Sequence, residues 1–208
     1  MVALVSDAGT PLISDPGFHL AAKAAAAGRS VIPIPGASAL LAALVASGLP
    51  TDAFLFAGFL PPKESARRKR LTELAAVPAS LIFYESPQRL ADSLADMAAT
   101  LGGDRPAAMA RELTKKFEEV LRAPLGELAA HYAAADKPKG EIVVVVGPPV
   151  HAAPAAAHVD AVLVALLAKG GVREAAEAAA AVTGLPRRDL YQRALALKAE
   201  EPEGGDDD

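Results

Sequence analysis

VALVSDAGTPLISDPG, residues 2–17, is the stretch of the sequence that decides the fold. Its first part, Val2–Val5, is a short continuous apolar run that stops at Ser6, a pattern typical of a buried strand followed by a turn. Open α/β sheets bind ligands beyond the carboxyl ends of their strands, and small residues let the backbone approach a ligand closely. The stretch therefore predicts a ligand-binding loop, although an ordinary turn rich in glycine and proline fits the pattern about equally well. It lacks the G-x-G-x-x-G spacing, so a classical nicotinamide site is not predicted.

The alternation of strand, turn and helix continues after this stretch. A helix opens at Asp15 and ends at Gly28, a second apolar strand occupies 31–34, and an Ala/Leu-rich helix covers 38–47. This alternation predicts an open, largely parallel α/β sheet. The turn at 35–39 then lies on the same edge of the sheet as the first turn, which strengthens the prediction of a ligand site there.

The remaining sequence divides into segments of different composition. Further strands are predicted at 54–59, 80–84, 107–112 and 141–146, with helices at 63–74, 88–101, 160–169, 173–182 and 186–198. Prolines after residue 60 mark a domain boundary, and a Pro/Ala/His-rich stretch near 148–158 marks a linker. The predicted organisation is a partial N-terminal α/β domain at 1–60, a second α/β domain at 61–149, a linker and helical unit at 150–198 and an acidic disordered tail at 199–208.

The composition excludes several classes of site. The 208 residues include no cysteine, which excludes disulfides, thiolate zinc sites, Fe–S clusters and a thiol nucleophile. Only four histidines are present, so no metal site is predicted. The sequence has neither a run of about 20 apolar residues nor a signal peptide, so we expect no membrane association and a cytoplasmic location. The net charge of -4 argues against indiscriminate nucleic-acid binding but permits a local basic face.

Two parts of the chain could form such a basic face. The helix at 63–74 carries a dense cluster of basic residues, for which a solvated face is the usual interpretation and contact with RNA phosphate is the sharper one. The C-terminal stretch 171–191 resembles a helix-turn-helix, although small helical hairpins of this kind are often only packing elements. The predicted RNA-binding residues are Lys63, Arg67, Arg68, Arg70, Arg187 and Arg188.

Charged residues also stand at the ends of predicted strands. Glu85 follows the strand at 80–84, Glu112 closes the strand at 107–112, and Lys139 precedes the strand at 141–146. Either glutamate could be a buried acid, a cofactor contact or an exposed cap. For any single residue of this kind, a cap or a surface ion pair is favoured by roughly two to one on general grounds.

Five segments taken together resemble a known family. They are LVSDAGTPLISDPG at 4–17, FLP at 59–61, LIFYES at 81–86, ARELTK at 110–115 and KGE at 139–141. Their order and spacing are similar to the ribosomal RNA small subunit methyltransferase I family of the tetrapyrrole methylase superfamily, as far as about Tyr191. The resemblance implies a two-domain class III S-adenosylmethionine methyltransferase fold, with the cofactor in the cleft between the α/β domains, and a homodimer. It also implies 2′-O-methylation of a cytidine ribose near the decoding centre of 16S rRNA.

The resemblance assigns site residues one by one. The cofactor loop falls on Asp7, Ala8, Gly9, Thr10, Pro11 and Ile13, a second loop on Ser38 and Ala39, and cleft-facing strand ends on Tyr84, Glu85, Arg111, Glu112 and Leu113. Family members carry a further segment upstream of Val2, with a first strand, the loop P-I-G-N-L and an E-D-T-R motif, and this chain contains none of them. The expected fold is therefore one with a truncated N-terminal domain and a small C-terminal helical unit.

The chemistry implied by the resemblance needs positioning and a base. A neutral ribose hydroxyl is a poor nucleophile, so a nearby proton acceptor assists, while alignment of the reactants supplies much of the acceleration. Glu112 or Lys115 is predicted to orient the hydroxyl, and no metal is needed.

Two other functions are open at this level. The chain could be a small-molecule methylase of the same superfamily acting on a tetrapyrrole, or a non-catalytic remnant that binds RNA or a partner chain. The basic helix and the C-terminal helical unit favour RNA over a tetrapyrrole. Cofactor binding would distinguish the remnant from both enzymes.

Overall fold

The chain divides into two compact units, Met1–Val150 and His151–Asp208. A computed structural model describes residues 2–7, 9–149 and 156–200. The predicted linker residues 150–155 and the tail residues 201–208 lie outside this described part. The mixed α/β fold with a C-terminal helical unit is confirmed, and the predicted domain boundary near residue 60 stays a prediction.

The first unit is built on one five-stranded sheet. The strand order is β1-β2-β5-β3-β4, where the strands are β1 (Phe54–Phe59), β2 (Ser80–Glu85), β3 (Pro106–Arg111), β4 (Glu119–Pro124) and β5 (Ile142–Val146). Only β1 and β2 pair in parallel, and the other three pairs are antiparallel. The expectation of a largely parallel sheet is therefore wrong for these strands. A helical crossover joins β1 to β2, whereas a short turn joins β3 to β4 and permits antiparallel pairing.

Helices cover both faces of this sheet. The helices of the first unit are α1 (Phe18–Ala26), α2 (Ala39–Ser47), α3 (Glu64–Leu74), α4 (Leu90–Leu101) and α5 (Leu125–Ala134). The last four pack against the sheet, whereas α1 has no buried residue. One face packs Phe83 and Val144 against the apolar sides of α3, α4 and α5. The other face packs Ile82 and Val143 against Leu44 of α2. Strands buried on both faces are continuously apolar, which explains the run IVVVV in β5.

Two predicted strands are not formed. Residues 2–5 and 31–34 have no strand pairing in the described part of the chain, and their apolar side chains are exposed, Val2 at 89% and Ile34 at 79%. A strand persists only where a neighbour takes its backbone hydrogen bonds, and no described strand lies beside these runs. Sequence reasoning also missed β4 and α5.

The second unit is a three-helix bundle. Its helices are α6 (Ala156–Leu167), α7 (Val172–Thr183) and α8 (Arg187–Glu200), which meet around the buried side chains of Leu163, Ala176 and Leu190. Gly184 ends α7 with a φ of 70°, a left-handed conformation that glycine adopts without steric cost. The helix, turn and helix predicted at 171–191 are therefore present.

Candidate functional site

A cavity of about 270 Å³ lies in the first unit, where β1 and β2 end and β5 begins. It brings together seven of the residues assigned by resemblance, which are Gly9, Thr10, Ile13, Ser38, Ala39, Tyr84 and Glu85. Its other lining residues are Ser14, Asp15, Phe59, Glu141, Ile142 and Val143. Ser14, Asp15, Phe59 and Glu141 belong to segments that carry the family resemblance. Ile142 and Val143 reach the cavity because the observed sheet order places the start of β5 beside the end of β2.

The two loops predicted to share one edge of the sheet meet at this cavity. Thr10 Oγ1 donates a hydrogen bond to the carbonyl of Ala37 at 3.2 Å. Gly9 has a φ of 69°, and a Cβ atom there would stand 3.7 Å from the same carbonyl oxygen. The loop around Gly9 is thus held against the turn that precedes α2, and together they form one wall.

An aromatic cluster forms a second wall. The ring of Tyr84 packs edge to face against Phe56 at 4.8 Å and against Phe59 at 5.7 Å between centroids. Burial raises the pKa of the Tyr84 phenol, an effect that a hydrogen bond with the backbone of Leu40 partly offsets. The hydroxyl therefore stays protonated at neutral pH and can serve as a hydrogen-bond donor.

Three carboxylates line the cavity, and no lysine, arginine or histidine is among its described lining residues. Asp15 Oδ2 accepts a hydrogen bond from Ser6 Oγ at 2.5 Å. Glu85 is 3% exposed, and its carboxylate accepts hydrogen bonds from the Ser86 amide at 2.7 Å and from Ser93 Oγ at 2.6 Å. Arg89 pairs with Glu85 at 3.5 Å and Lys115 pairs with Glu141 at 3.1 Å, so Asp15 is the lining carboxylate that has no ion pair within the described residues. Its charge favours a ligand that carries positive charge.

A second cavity, of about 530 Å³, contains two further residues of the predicted cofactor loop, Asp7 and Pro11. Asp15 and Glu141 line both cavities. The two cavities therefore adjoin at a pair of carboxylates. Ala8, which was assigned to the same loop, lies outside the described residues.

Three assigned strand-end residues, Arg111, Glu112 and Leu113, line neither cavity, and Glu112 instead forms an ion pair with Lys115. Arg111 donates from Nε to Glu119 Oε2 at 3.0 Å and also bonds the carbonyl of Lys139. Leu113 packs against the apolar cluster on the α2 face of the sheet. Both side chains hold the sheet edge together rather than facing the cavity.

The predicted catalytic residues form an ion-pair cluster with Glu141. Lys115 Nζ lies 2.9 Å from Glu112 Oε1 and 3.1 Å from Glu141 Oε2. The hydrogen bond from Lys115, together with one from the Glu141 amide, lowers the pKa of Glu112. The two carboxylates raise the pKa of Lys115. Lys115 is thus a hydrogen-bond donor in this arrangement and not a proton acceptor, whereas Glu112 is a charged acceptor.

The backbone around this cluster has an unusual conformation. Glu112 and Thr114 have φ values of 49° and 65°, which non-glycine residues seldom adopt. Gly140 has a φ of 99°, and a Cβ atom there would collide with the side chain of Glu112. The glycine of the segment at 139–141 is therefore needed for Glu112 to occupy its position.

The basic side chains of α3 are less available for contact with RNA than the sequence suggests. Arg67 is 6% exposed and donates from Nε to Asp96 Oδ2 at 2.6 Å, so it is removed from the predicted RNA-binding face. Arg68 pairs with Asp96 and Glu64, and Arg70 pairs with Glu73. A carboxylate three or four residues away along a helix, or on the helix beside it, neutralises these charges.

The remaining predicted RNA-binding residues are exposed. Lys63 stands at the start of α3. In the second unit, Arg187 lies 3.8 Å from Glu177, while Arg188 projects from the first turn of α8. Within the described residues, no group of three or more histidine, aspartate or glutamate side chains could hold a metal ion. Nor does any described helix have the length and apolarity to cross a membrane.

Comparison with known proteins relates this chain to methyltransferases. Residues 1–129 match the tetrapyrrole (corrin/porphyrin) methylases, and residues 153–198 match the domain described as the RsmI C-terminal HTH domain. A relative from Mesorhizobium japonicum, "Ribosomal RNA small subunit methyltransferase I", is 58% identical over 98% of this chain and 69% of its own length. One of the same name from Pseudomonas aeruginosa is 50% identical over 93% of this chain and 70% of its own length. The crystal structure of the methyltransferase CobJ has a similar fold, with a TM-score of 0.51 at 24% identity, covering 70% of this chain and 62% of CobJ.

Proposed function

Because the chain belongs to the ribosomal RNA small subunit methyltransferase I family of tetrapyrrole methylases, we propose that it takes part in S-adenosylmethionine-dependent methylation of ribosomal RNA. The acceptor in this proposal is the 2′-hydroxyl of a cytidine near the decoding centre of 16S rRNA. The enzyme acts in the cytoplasm as a homodimer on 16S rRNA or the small ribosomal subunit. The single observation that carries the proposal is the cavity that gathers the loop at 9–15, Ser38 and Tyr84 beside three carboxylates.

The charge of the cavity fits this cofactor. S-adenosylmethionine, when bound, supplies a methyl group on a positively charged sulfonium and carries an ammonium group as well. Of the three lining carboxylates, Glu85 pairs with Arg89 and Glu141 pairs with Lys115, so Asp15 supplies the negative charge that matches this cofactor. Among the described lining residues no cation is available to balance a phosphate, which favours this cofactor over a nucleotide. Ser38 and the aromatic wall at Phe59 and Tyr84 offer a polar and an apolar surface for the rest of the molecule.

Glu112 and Lys115 are proposed to position the ribose hydroxyl. Glu112 can accept a hydrogen bond from that hydroxyl, and the ammonium of Lys115 holds Glu112 and Glu141 in place at the cavity edge. Because the pKa of Glu112 is lowered, it is a weak base, so alignment is its principal contribution. Arg111 and Leu113 contribute indirectly, since they hold the sheet edge from which this turn projects.

RNA is preferred to a tetrapyrrole as the acceptor. The C-terminal bundle contains the helix, turn and helix of the stretch that matches the RsmI C-terminal HTH domain, with Arg187 and Arg188 at the start of α8. Lys63 and the exposed side of α3 would add contacts to phosphate. Each phosphate contact steepens the salt dependence of RNA binding, whereas binding of a small tetrapyrrole would change far less with salt.

The test is methyl transfer from radiolabelled S-adenosylmethionine to small ribosomal subunits that lack the modification. The proposal predicts label in 16S rRNA, at a 2′-hydroxyl of cytidine, and loss of label with Glu112→Gln. Label transferred to a tetrapyrrole and not to RNA would overturn the substrate assignment. If the chain binds the cofactor but transfers methyl groups to neither acceptor, the assignment of the cavity stands and the proposed acceptor is wrong.

A further inference from the structure

The turn between β3 and β4, residues 112–118, carries an exposed aromatic ring. Phe117 is 64% exposed, and the ammonium of Lys116 lies 5.6 Å from the centre of its ring. Its neighbours in the sequence, Lys115, Lys116, Glu118 and Glu119, are all charged. Single exposed apolar side chains are common on protein surfaces, so the significance of this ring rests on the turn that presents it and on its place beside the candidate site.

Hydrogen bonds hold this turn in one conformation. The Thr114 amide donates to Glu118 Oε2 at 2.6 Å, the Lys115 amide to the carbonyl of Glu112, and the Glu118 amide to the carbonyl of Lys115. The left-handed conformations of Glu112 and Thr114 are therefore fixed by their surroundings. A ring presented by a fixed turn loses little conformational entropy when it binds a partner.

The turn is also attached to the edge of the candidate site. Lys115, two residues before Phe117, contacts Glu141, which lines both cavities. The acidic residues nearby are already engaged, since Glu118 accepts from Thr114 and Glu119 pairs with Arg111. Lys116, by contrast, forms no ion pair within the described residues. The tip of the turn thus combines an exposed aromatic ring with the ammonium that lies over it and forms no ion pair within the described residues.

We propose that Phe117 stacks on a nucleobase of the RNA substrate next to the target nucleotide, while Lys116 contacts the adjoining phosphate. This inference rests on the proposed function, because it takes RNA as the acceptor. A single-stranded base offers a flat apolar face flanked by a phosphate, which matches an isolated ring flanked by a lysine. An apolar protein partner would instead require a broader apolar surface.

The test measures binding of unmodified small-subunit rRNA to variants of the whole chain. Phe117→Ala is expected to weaken binding by about 5-fold to about 150-fold, the range for loss of one stacked base, while Phe117→Tyr restores it. Lys116→Gln should reduce the slope of log affinity against log salt by about 0.7. Phe54→Ala is the matched control, because Phe54 is also exposed but lies at the far end of β1 from the cavity.

The outcomes separate this inference from the function on which it rests. If Phe117→Ala binds RNA and transfers methyl groups within about twofold of the unaltered chain, the stacking role is wrong and the proposed function stands. If Phe117→Ala instead changes the oligomeric state in sedimentation and keeps its RNA affinity, the ring faces another copy of the chain and the inference is overturned. If the unaltered chain binds cofactor but no RNA, the proposed substrate fails and this inference with it.

Discussion

Lys115 Nζ lies 3.1 Å from Glu141 Oε2, and this contact ties the turn after β3 to a carboxylate shared by two adjoining cavities. The same ammonium lies 2.9 Å from Glu112 Oε1. One cation thus holds carboxylates from two different segments in a fixed relation. The ion pairs therefore fix the position of the turn relative to the edge of the cavity.

The first prediction concerns the charge of Lys115. Lys115→Arg keeps a cation between Glu112 and Glu141 and is expected to retain most of the methyl-transfer rate, whereas Lys115→Ala should lose it. If Lys115 were a proton acceptor, Lys115→Arg would lose the methyl-transfer rate as well, because arginine does not deprotonate in proteins. Rates measured with both variants at one saturating cofactor concentration distinguish the two roles.

The pH dependence of the Glu112–Lys115 pair follows from the two pKa shifts. The pKa of Glu112 is lowered from 4.5, so its contribution to stability is present above that value and is lost as pH falls through the lower pKa. The pKa of Lys115 is raised from 10.5, so its contribution is present below that value and is lost as pH rises through the higher pKa. Between about pH 6 and about pH 9, the difference in unfolding free energy between the chain and Lys115→Gln should be constant. A steep change in that difference near neutral pH would show that the pair is not formed.

Gly140→Ala tests the close approach of Gly140 to Glu112. Its Cβ would displace the Glu112 side chain, so methyl transfer should fall strongly. Gly102→Ala is a matched control, because Gly102 has a similar φ of 106° but no atom within 4 Å of the added Cβ. Both variants should lose about 1–3 kcal/mol of stability through backbone strain. If the two variants are equally stable and equally active, the position of Glu112 has no role in methyl transfer.

The buried pair of Arg67 and Asp96 gives a prediction for stability. Asp96→Ala leaves the guanidinium of Arg67 buried without its carboxylate, so unfolding free energy should fall by about 3–5 kcal/mol. Replacing both partners, as Arg67→Met with Asp96→Leu, should recover most of that loss because no charge remains buried. Chemical denaturation of the three chains gives the comparison. RNA affinity of the double variant should match that of the unaltered chain, since Arg67 has no access to phosphate.

Asp15 allows a test of charge in the cavity. Asp15→Asn removes a carboxylate that no cation neutralises in the described structure, so affinity for S-adenosylmethionine should fall by about 3-fold to about 10-fold. Affinity for S-adenosylhomocysteine should fall less, because its sulfur carries no charge. Asp52→Asn, at an exposed position before β1, is the control. An equal loss for both ligands would mean that Asp15 acts through the shape of the loop and not through its charge.

The sequence was sufficient for every helix except α5, for every strand of the sheet except β4 and for much of the site. Apolar runs and caps predicted α2, β2 and β5, and the resemblance selected the loop residues that line the cavity. The strands expected at 2–5 and 31–34 are absent because strand formation depends on a neighbour, which a local pattern does not show. Likewise, the antiparallel placement of β5 beside β2 is a property of the whole sheet, and it alone brings Glu141 to the cavity. The burial of Arg67 depends on Asp96, 29 residues away.

Calorimetric titration of the chain with S-adenosylmethionine tests the central claim most directly. The cavity described above predicts saturable binding with a micromolar dissociation constant. Ala39→Leu, which fills the cavity, should abolish that binding, while Val45→Leu on the exposed side of the same helix should leave it unchanged. A folded chain that shows no heat of binding, or an Ala39→Leu variant that binds as well as the unaltered chain, would contradict the assignment of this cavity to the cofactor.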